Sequence, residues 1–269
     1  MRNNTKIVVL TDLNKFSINN LKNTVVLAKM IKGEVHVFHV KKSIDLVKKD
    51  NNLSALRSIN DHYKETENKL KGLKSLISDQ FNFSIDYSFS IGNVNKEIET
   101  FLDQTNPDII VLGKKKKNVL RLIGDNVTEL VFKKHQGAIL IADKENNIEP
   151  NKELAIGLLN DMEEQLDVKF PSELVKFLKS PLKSFHISDS YSNKTEILKG
   201  KKTINYVFEK SDDSFKTLSK YLAKNSINLL CVDRVANGKK QSSVRNYKEL
   251  IKELPVNLLI LGNKNYNLN

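Results

Sequence analysis

Apolar runs alternate with helical patterns along the N-terminal half of the chain. Lys6–Leu10 is a β-branched apolar run, which is typical of a buried parallel strand. Apolar residues then recur every three or four positions from Ile18 to Ile31, and Gly33 follows, so a helix that begins at Ser17 is predicted. The same reading predicts further strands at Glu34–Val40, 81–89, Asp108–Leu112 and Ala138–Ala142, and further helices within 53–77, within 94–102 and at Asn126–Lys134.

The strand predicted at 81–89 has a pattern of its own. Phe81, Phe83, Ile85, Tyr87 and Phe89 alternate with polar residues. Strict alternation indicates a strand with one exposed face, so this strand is expected near an edge of the sheet.

The order of elements restarts after a polar segment. Lys144–Lys152 contains Pro150 and is interpreted as a linker. Beyond it, the pattern predicts strands at Leu154–Leu159, Lys183–Ile187, Thr203–Phe208, Asn228–Val232 and Val256–Leu261, and helices at Pro171–Lys179, Phe215–Ala223 and Val244–Leu254. This second copy has no long helix between its second and third strands.

Alternation of strands and helices requires a mainly parallel sheet with helices on both faces. The fold class is therefore α/β, with two consecutive doubly wound, Rossmann-like domains of five strands each. The predicted limits are residues 1–145 for the first domain, 146–152 for the linker and 153–269 for a shortened second domain.

Composition narrows the classes of function. The net charge of +12 comes mostly from lysines spread over the chain, without Arg-rich stretches and interleaved aromatics, so nucleic-acid binding is not expected. No apolar run approaches the roughly 20 residues that span a bilayer. Cys231 is the single cysteine, which excludes an intrachain disulfide and a cysteine metal cluster. With no secretory leader at the start, a cytoplasmic protein is expected.

Candidate chemistry is sought in two loops. In a doubly wound sheet, ligands bind at the carboxyl ends of the strands where the strand order reverses. Those loops follow the first and fourth strands and are residues 10–13 and 112–128. His36 and His39 are three residues apart in one strand, so they are expected on opposite faces, and no catalytic or zinc motif is found.

The segments around these loops resemble a known family. IVVLTDLNKFSINNLKNTVVLAK followed by GEVHVFHV is similar to the opening of the universal stress protein family, and NPDIIVLGKK followed by VTELVFKKHQGAILIA is similar to its close. The resemblance covers residues 5–143. It implies a five-stranded parallel sheet of the adenine-nucleotide alpha-hydrolase-like kind and, as in many members, a bound adenine nucleotide such as ATP or AMP.

The resemblance also implies a set of pocket residues. In ATP-binding members an aspartate after the first strand meets the nucleoside, which is Asp12 here, and a Gly-x-x-Gly-x(9)-Gly-Ser/Thr loop holds the phosphates, with Gly113 as its first glycine. The implied cofactor-binding residues are Leu10, Thr11, Asp12, Val40, Leu112, Gly113, Lys115, Lys116, Gly124, Asp125, Asn126 and Val127.

The phosphate loop departs from that pattern. Lys116 stands where the second glycine belongs, the span from Gly113 to Gly124 is two residues shorter, and Asp125-Asn126 replaces the hydroxyl residue. Glycines let backbone N–H groups approach phosphate, which a lysine does not. A carboxylate about 4 Å from a phosphate costs about 4 kcal/mol at an effective dielectric of 20.

Two interpretations of the loop stay open. In one, Lys114–Lys117 form a modified anion pocket for a nucleotide with fewer phosphates; in the other, the pocket is decayed and Asp125 only caps a helix. Asp12 likewise either meets the nucleoside or caps the next turn. In the second domain an acidic residue, Asp161, follows the first strand shifted by one place, and no phosphate loop is expected there.

The resemblance implies a non-catalytic stress-response or regulatory protein with an unidentified protein partner. One alternative is a slow ATP hydrolase using the same pocket, although nothing places Asp12 and Asp125 together as Mg²⁺ ligands, and no metal site is predicted. Another is a ligand-free interaction scaffold. Tandem family members imply pairing of the two halves through strands near Ala138–Ala142 and Val256–Leu261, and homodimer formation is also expected.

Overall fold

A computed structural model describes residues 4–14, 17–42, 52–114, 124–150, 152–160, 174, 177–179, 181–188, 197–198, 201–234 and 244–262. The strands are β1 Lys6–Thr11, β2 Glu34–Lys42, β3 Ile85–Gly92, β4 Ile109–Gly113, β5 Ala138–Ala142, β6 Ile156–Leu159, β7 Leu182–Ile187, β8 Ile197–Leu198, β9 Lys201–Phe208, β10 Leu229–Asp233 and β11 Asn257–Leu261. The helices are α1 Ser17–Met30, α2 Asn52–Phe81, α3 Val94–Thr105, α4 Gly124–Lys134, α5 Ser214–Lys224 and α6 Val244–Glu253.

The described strands form one eleven-stranded sheet in the order β3-β2-β1-β4-β5-β11-β10-β6-β7-β9-β8. The first half has the order β3-β2-β1-β4-β5, and the second repeats it as β9-β7-β6-β10-β11. All pairs within each set of five are parallel. The predicted doubly wound α/β class is confirmed. The two predicted sheets are joined edge to edge, and the two-residue strand β8, which was not predicted, adds an antiparallel edge.

The two halves meet where β5 and β11 pair antiparallel. Leu140 lies opposite Leu259, with Ile139 opposite Ile260 and Ile141 opposite Leu258. In the first half Leu10 pairs with Leu112, which pairs with Ile141; in the second half Leu159 pairs with Val232, which pairs with Ile260. Superposing Leu10 on Leu159 therefore makes Ile141 and Ile260 equivalent. A pseudo-twofold axis therefore passes between Leu140 and Leu259. These are the strands that the resemblance to tandem members implied.

The predicted linker is held at this junction. Asn257 is fully buried; its amide nitrogen donates to the carbonyls of Asn146 at 3.0 Å and Asn228 at 2.8 Å, and its amide oxygen accepts the Asp143 N–H at 2.8 Å. From α1, Asn23 accepts the Ile148 N–H at 2.9 Å. Because the sheet runs through both halves, the domain limits at 145 and 153 stay a prediction.

Alternate residues of each central strand enter different cores. Ile7 and Val9 of β1 face α1 and α2, whereas Val8 and Leu10 face α3 and α4. All four are buried, so both sides of the strand are covered. A continuous apolar run such as KIVVL is what a strand buried on both faces requires.

The two halves differ where α2 lies. In the first half α2 covers the face of β2 and β3 that carries Val37 and Tyr87. The equivalent residues of the second half are Ser184 and Asn205, and only residues 188–200 separate β7 from β9. That connection is too short for a helix the size of α2, and polar side chains stand at the positions whose apolar counterparts pack against α2 in the first half.

Phe81 was predicted in a strand and belongs to α2 instead. It follows Leu70, Leu73 and Ile77 at intervals of three and four and packs against the same core, so the helical period prevails over the apparent alternation. The helix ends at Phe81, and the next residue, Asn82, has the left-handed φ of 45° that commonly terminates a helix. The strand begins at Ile85 and lies at the edge of the sheet, as the sequence predicted.

The helix predicted at Pro171–Lys179 lies mostly outside the described residues. Leu174 is helical, but Leu178 forms a parallel β-bridge with Leu154. The helix therefore does not extend to Lys179, because the backbone there pairs with the segment that leads into β6.

Candidate functional site

The reversal of strand order places a crevice between β1 and β4. The chain proceeds from β1 to β2 and β3 on one side, and β4 and β5 lie on the other. The carboxyl ends of β1 and β4 are Thr11 and Gly113. These are the two positions that the sequence singled out, and the topology brings them to the same end of the sheet.

The turn after β1 is fixed by its own side chains. The Thr11 hydroxyl accepts the Leu13 N–H at 3.0 Å and donates to Ser17 Oγ at 2.8 Å. Leu13 has a left-handed φ of 55°, which an L-residue adopts only under such local constraint. The Ser17 N–H donates to the Asn14 carbonyl at 3.0 Å, so the turn leads directly into α1.

Asp12 lies at the tip of this turn and is exposed. Its Oδ1 accepts the Asn14 N–H at 3.3 Å, which is the turn-capping role that the sequence left open. Contact with a nucleoside stays a prediction for this carboxylate, whose exposed position lets it be reached from solvent.

The apolar residues of the predicted pocket lie on one face. Leu10, Leu112 and Val127 are almost fully buried in the core beneath α3 and α4, and Val40 is half-buried against the same core. They belong to one core cluster, and contact with a ligand stays a prediction for them.

Gly113 is in close contact with α1. A Cβ added to Gly113 would lie 2.0 Å from Nδ2 of Asn20, so a larger residue here requires the buried Asn20 side chain to move. Asn20 is 9% exposed, and its Oδ1 is buried without a hydrogen-bond partner.

Sequence reasoning missed Asn20 because it followed the apolar stripe of α1. The available signal was a second, polar stripe at a spacing of three residues, made by Ser17, Asn20 and Asn23. All three are buried, which is unusual for polar residues on a helix that packs against a sheet.

His39 lies under the turn. Its Nδ1–H donates to the Thr11 carbonyl at 2.8 Å. Burial lowers the pKa of His39 below its ordinary value of 6.5, against the opposing effect of that hydrogen bond. His36 contacts Ser88 at 2.7 Å and the Phe101 ring on the other face, so the two histidines do lie on opposite sides of the sheet.

The remaining residues of the predicted phosphate loop are only partly described. Lys115 and Lys116 lie outside the described residues. Gly124 is the first residue of α4, and for Asp125 and Asn126 the helical backbone alone is described. Whether these residues contact a ligand stays a prediction.

Lys114 does not point toward the predicted phosphate site. Its Nζ donates to the Leu254 carbonyl at 2.5 Å and lies 3.5 Å from Asp143 Oδ2, with only 9% of its side chain exposed. Lys114 is therefore held by the second half of the chain, and the anion pocket of Lys114–Lys117 stays a prediction, because residues 115–117 lie outside the described residues.

No metal centre is found in the part of the chain that the structure describes, where no three His, Cys, Asp or Glu side chains cluster. Within those same residues, no helix is long and apolar enough to cross a membrane.

Comparison with models of protein families identifies the family of this chain. The model of the universal stress protein family matches residues 3–141, which is more than half of the chain. The chain belongs to the universal stress protein family.

Solved structures of family members share its architecture. A universal stress protein from Archaeoglobus fulgidus DSM 4304 is 16% identical over 96% of this chain and 97% of that chain, with a TM-score of 0.67. A putative universal stress protein from Pseudomonas aeruginosa UCBPP-PA14 is 12% identical over 95% and 92%, with a TM-score of 0.56. At these identities the likeness concerns the fold alone.

A universal stress protein in complex with cAMP also matches, at 18% identity over 52% of this chain and 98% of that chain, with a TM-score of 0.32. This match is too distant to support an argument about the present chain. No curated protein was found to match the sequence significantly.

The second half has a crevice at the equivalent position, with different residues. Leu159 pairs with Phe185 and Val232 as Leu10 pairs with Phe38 and Leu112. Asn160 is therefore equivalent to Thr11. Asp161 lies outside the described residues, so its predicted place after the strand stays a prediction.

The same register makes Asp233 the equivalent of Gly113. Asp233 is 7% exposed, so a buried side chain stands where the universal stress protein loop of ATP-binding members begins with glycine. A carboxylate at this position opposes phosphate by both volume and charge.

Proposed function

We propose that the chain is a regulatory universal stress protein that binds one adenine nucleotide in the crevice of its first half and does not turn it over. The observation that carries the proposal is the difference at one register position, where the first half has Gly113 and the second has Asp233. In the first half the fourth strand ends on a residue without a side chain, whereas in the second half it ends on a buried carboxylate.

The ligand we propose has few phosphates, such as AMP or adenosine. The nucleoside end of the crevice keeps its polar groups, Thr11 and the exposed Asp12. The phosphate end has lost two of its supports, because Lys116 replaces a glycine and Asp125 puts a carboxylate in the first turn of α4. A negative charge at this helix N-terminus offsets the partial positive charge that would otherwise attract phosphate.

Absence of turnover is proposed on chemical grounds. Phosphoryl transfer needs carboxylates that hold Mg²⁺ next to the phosphates and a group that orients water. Asp12 is engaged in the turn through Asn14. A hydrolase would need that turn to be rebuilt.

Isothermal titration with adenosine, AMP and ATP tests the proposal. We expect AMP to bind, and Asp12→Ala to weaken it about tenfold, the loss of one charge-assisted hydrogen bond. Asp161→Ala, the acidic residue that follows the first strand of the second half in the sequence, is the matched control and should leave affinity unchanged. If none of the three ligands binds, the proposal is wrong and the alternative of a ligand-free interaction scaffold is supported. Mg²⁺-dependent phosphate release that Asp12→Ala abolishes would establish the hydrolase instead.

A further inference from the structure

We propose that Asn20 is a ligand-binding residue of the first crevice, whose side-chain oxygen accepts a hydrogen bond from an amino or hydroxyl group of the nucleoside. The inference rests on the proposed function and names the part of the ligand that this residue recognises.

The first observation is an unpaired acceptor. Asn20 Oδ1 is buried and has no hydrogen-bond partner, although the side chain is only 9% exposed. Buried polar atoms in folded proteins nearly always have a partner, so an unpaired one requires an explanation. A bound donor supplies it.

The neighbouring asparagines of α1 have hydrogen-bond partners that Asn20 Oδ1 lacks. Asn23, one turn further along, uses both amide atoms: Nδ2 donates to the Asn146 carbonyl at 2.9 Å and Oδ1 accepts the Ile148 N–H at 2.9 Å. Asn19 donates to the Lys144 carbonyl at 3.3 Å. Both hold the junction between the halves, and Asn20 has no comparable structural contact through Oδ1.

The second observation is position. The Asn20 amide lies against Gly113, the last residue of β4, at the carboxyl end where the crevice opens. One turn earlier, Ser17 is bonded to Thr11 at the end of β1. Asn20 therefore lies between the two strands that define the crevice.

The chemistry selects the nucleoside. A carbonyl-type oxygen accepts hydrogen bonds and repels the oxygens of a phosphate, which carries no donor when fully ionised. An adenine amino group and ribose hydroxyls are donors. A buried acceptor that pairs only in the complex also gives selectivity, because a ligand without the donor leaves it unpaired.

Two variants and one control test this assignment by titration with adenosine, ATP and inorganic tripolyphosphate. Asn20→Ala removes the acceptor, and Asn20→Leu removes it while keeping the number and branching of the side-chain heavy atoms. Both should weaken adenosine and ATP by the same factor, about tenfold, and leave tripolyphosphate unchanged. Asn19→Ala, the adjacent amide, should bind all three probes as the wild type does.

Thermal unfolding separates a ligand contact from a packing role. Asn20→Leu should keep or raise the melting temperature while it weakens adenosine, because it removes an unpaired buried oxygen. If the wild type binds adenosine and both variants bind it equally well, the assignment of Asn20 is wrong and the proposed function stands. If the wild type binds none of adenosine, AMP and ATP, the proposed function fails and the assignment with it.

Discussion

Gly113 shows how one missing side chain sets the shape of the crevice. The backbone at the end of β4 approaches α1 so closely that Asn20 occupies the space of a Cβ. The sequence marked this glycine for its place in a phosphate loop, whereas the structure gives it a second role in helix–sheet packing.

Gly113→Ala should therefore destabilise the fold by about 1–3 kcal/mol, because the new methyl group meets a buried amide. Denaturant unfolding measures the change. Gly72→Ala is the control: it lies within α2 with nothing within 4 Å of the added Cβ, so it should stabilise by about 0.5–1 kcal/mol. Equal effects of the two changes would contradict this role of Gly113.

We expect His39 to make stability depend on pH. Burial lowers its folded-state pKa below 6.5, so the unfolded chain takes up the proton at a higher pH than the folded protein. Its contribution is complete above pH 6.5 and is lost as the pH falls from 6.5 through the folded-state pKa. His36 is shifted in the same direction, mainly by burial.

His39→Gln should reduce the fall in melting temperature between pH 7.5 and pH 5. The amide retains a donor for the Thr11 carbonyl but does not titrate. His62→Gln is the comparison, since that imidazole lies on α2 with 32% of its side chain exposed. An unchanged pH profile in folded His39→Gln protein would show that this histidine does not carry the dependence.

Among the elements, α1 combines two stripes. Its apolar stripe, with Leu21, Val25 and Ala28, packs on the sheet, while Ser17, Asn20 and Asn23 form a buried polar stripe beside it. The polar stripe starts at the crevice and reaches the junction with the second half. Buried polar residues stabilise a helix less than apolar ones do, so their presence requires specific contacts, which Ser17 and Asn23 make.

The start of α4 is the element at which we expect phosphate affinity to be decided. Asp125→Ser removes a carboxylate from the first turn and should tighten ATP binding at least tenfold, with a smaller gain for AMP. Titration calorimetry measures both affinities. Asp213→Ser at the start of α5 is the control, because its carboxylate pairs with Lys216 in the second half. Unchanged or weaker ATP binding in a folded Asp125→Ser variant would refute the charge argument.

In the whole molecule, two reciprocal contacts hold the halves together. Lys114, directly after β4, donates to the Leu254 carbonyl directly after α6. Arg234, directly after β10, donates to the His135 carbonyl directly after α4, and its guanidinium lies 5.7 Å from the centre of the Phe132 ring. Each half thus places a cation at the C-terminus of a helix of the other half, where the helix dipole favours positive charge.

Lys114→Met should lower the free energy of unfolding by about 1.5–3 kcal/mol, since it removes a charged donor from a nearly buried site beside Asp143. Hydrogen exchange should also speed up at β5 and β11. Lys152→Met breaks an exposed pair with Glu149 and should cost under about 1 kcal/mol. If Lys114→Met costs no more than that control, the contact does not hold the junction.

Much of the architecture could be predicted from local patterns. KIVVL, DIIVL and AILIA became buried strands as expected, and the edge position of β3 followed from its alternating residues. Phe81 was misassigned because its alternation with Phe83 and Ile85 mimics a strand while its spacing from Ile77 is helical. A further signal went unused: Phe38-His39 recurs as Phe185-His186 at the same register position of the second half.

The sequence by itself determined the two βα repeats and the position of the crevice, because apolar periodicity and strand order are local properties that each segment carries. Only the tertiary structure decided that Asn20 contacts Gly113, that Lys114 serves the junction, and that Asp233 is the counterpart of Gly113. These facts depend on strand register and on approaches between residues up to 140 positions apart along the chain, for which no single segment holds the information.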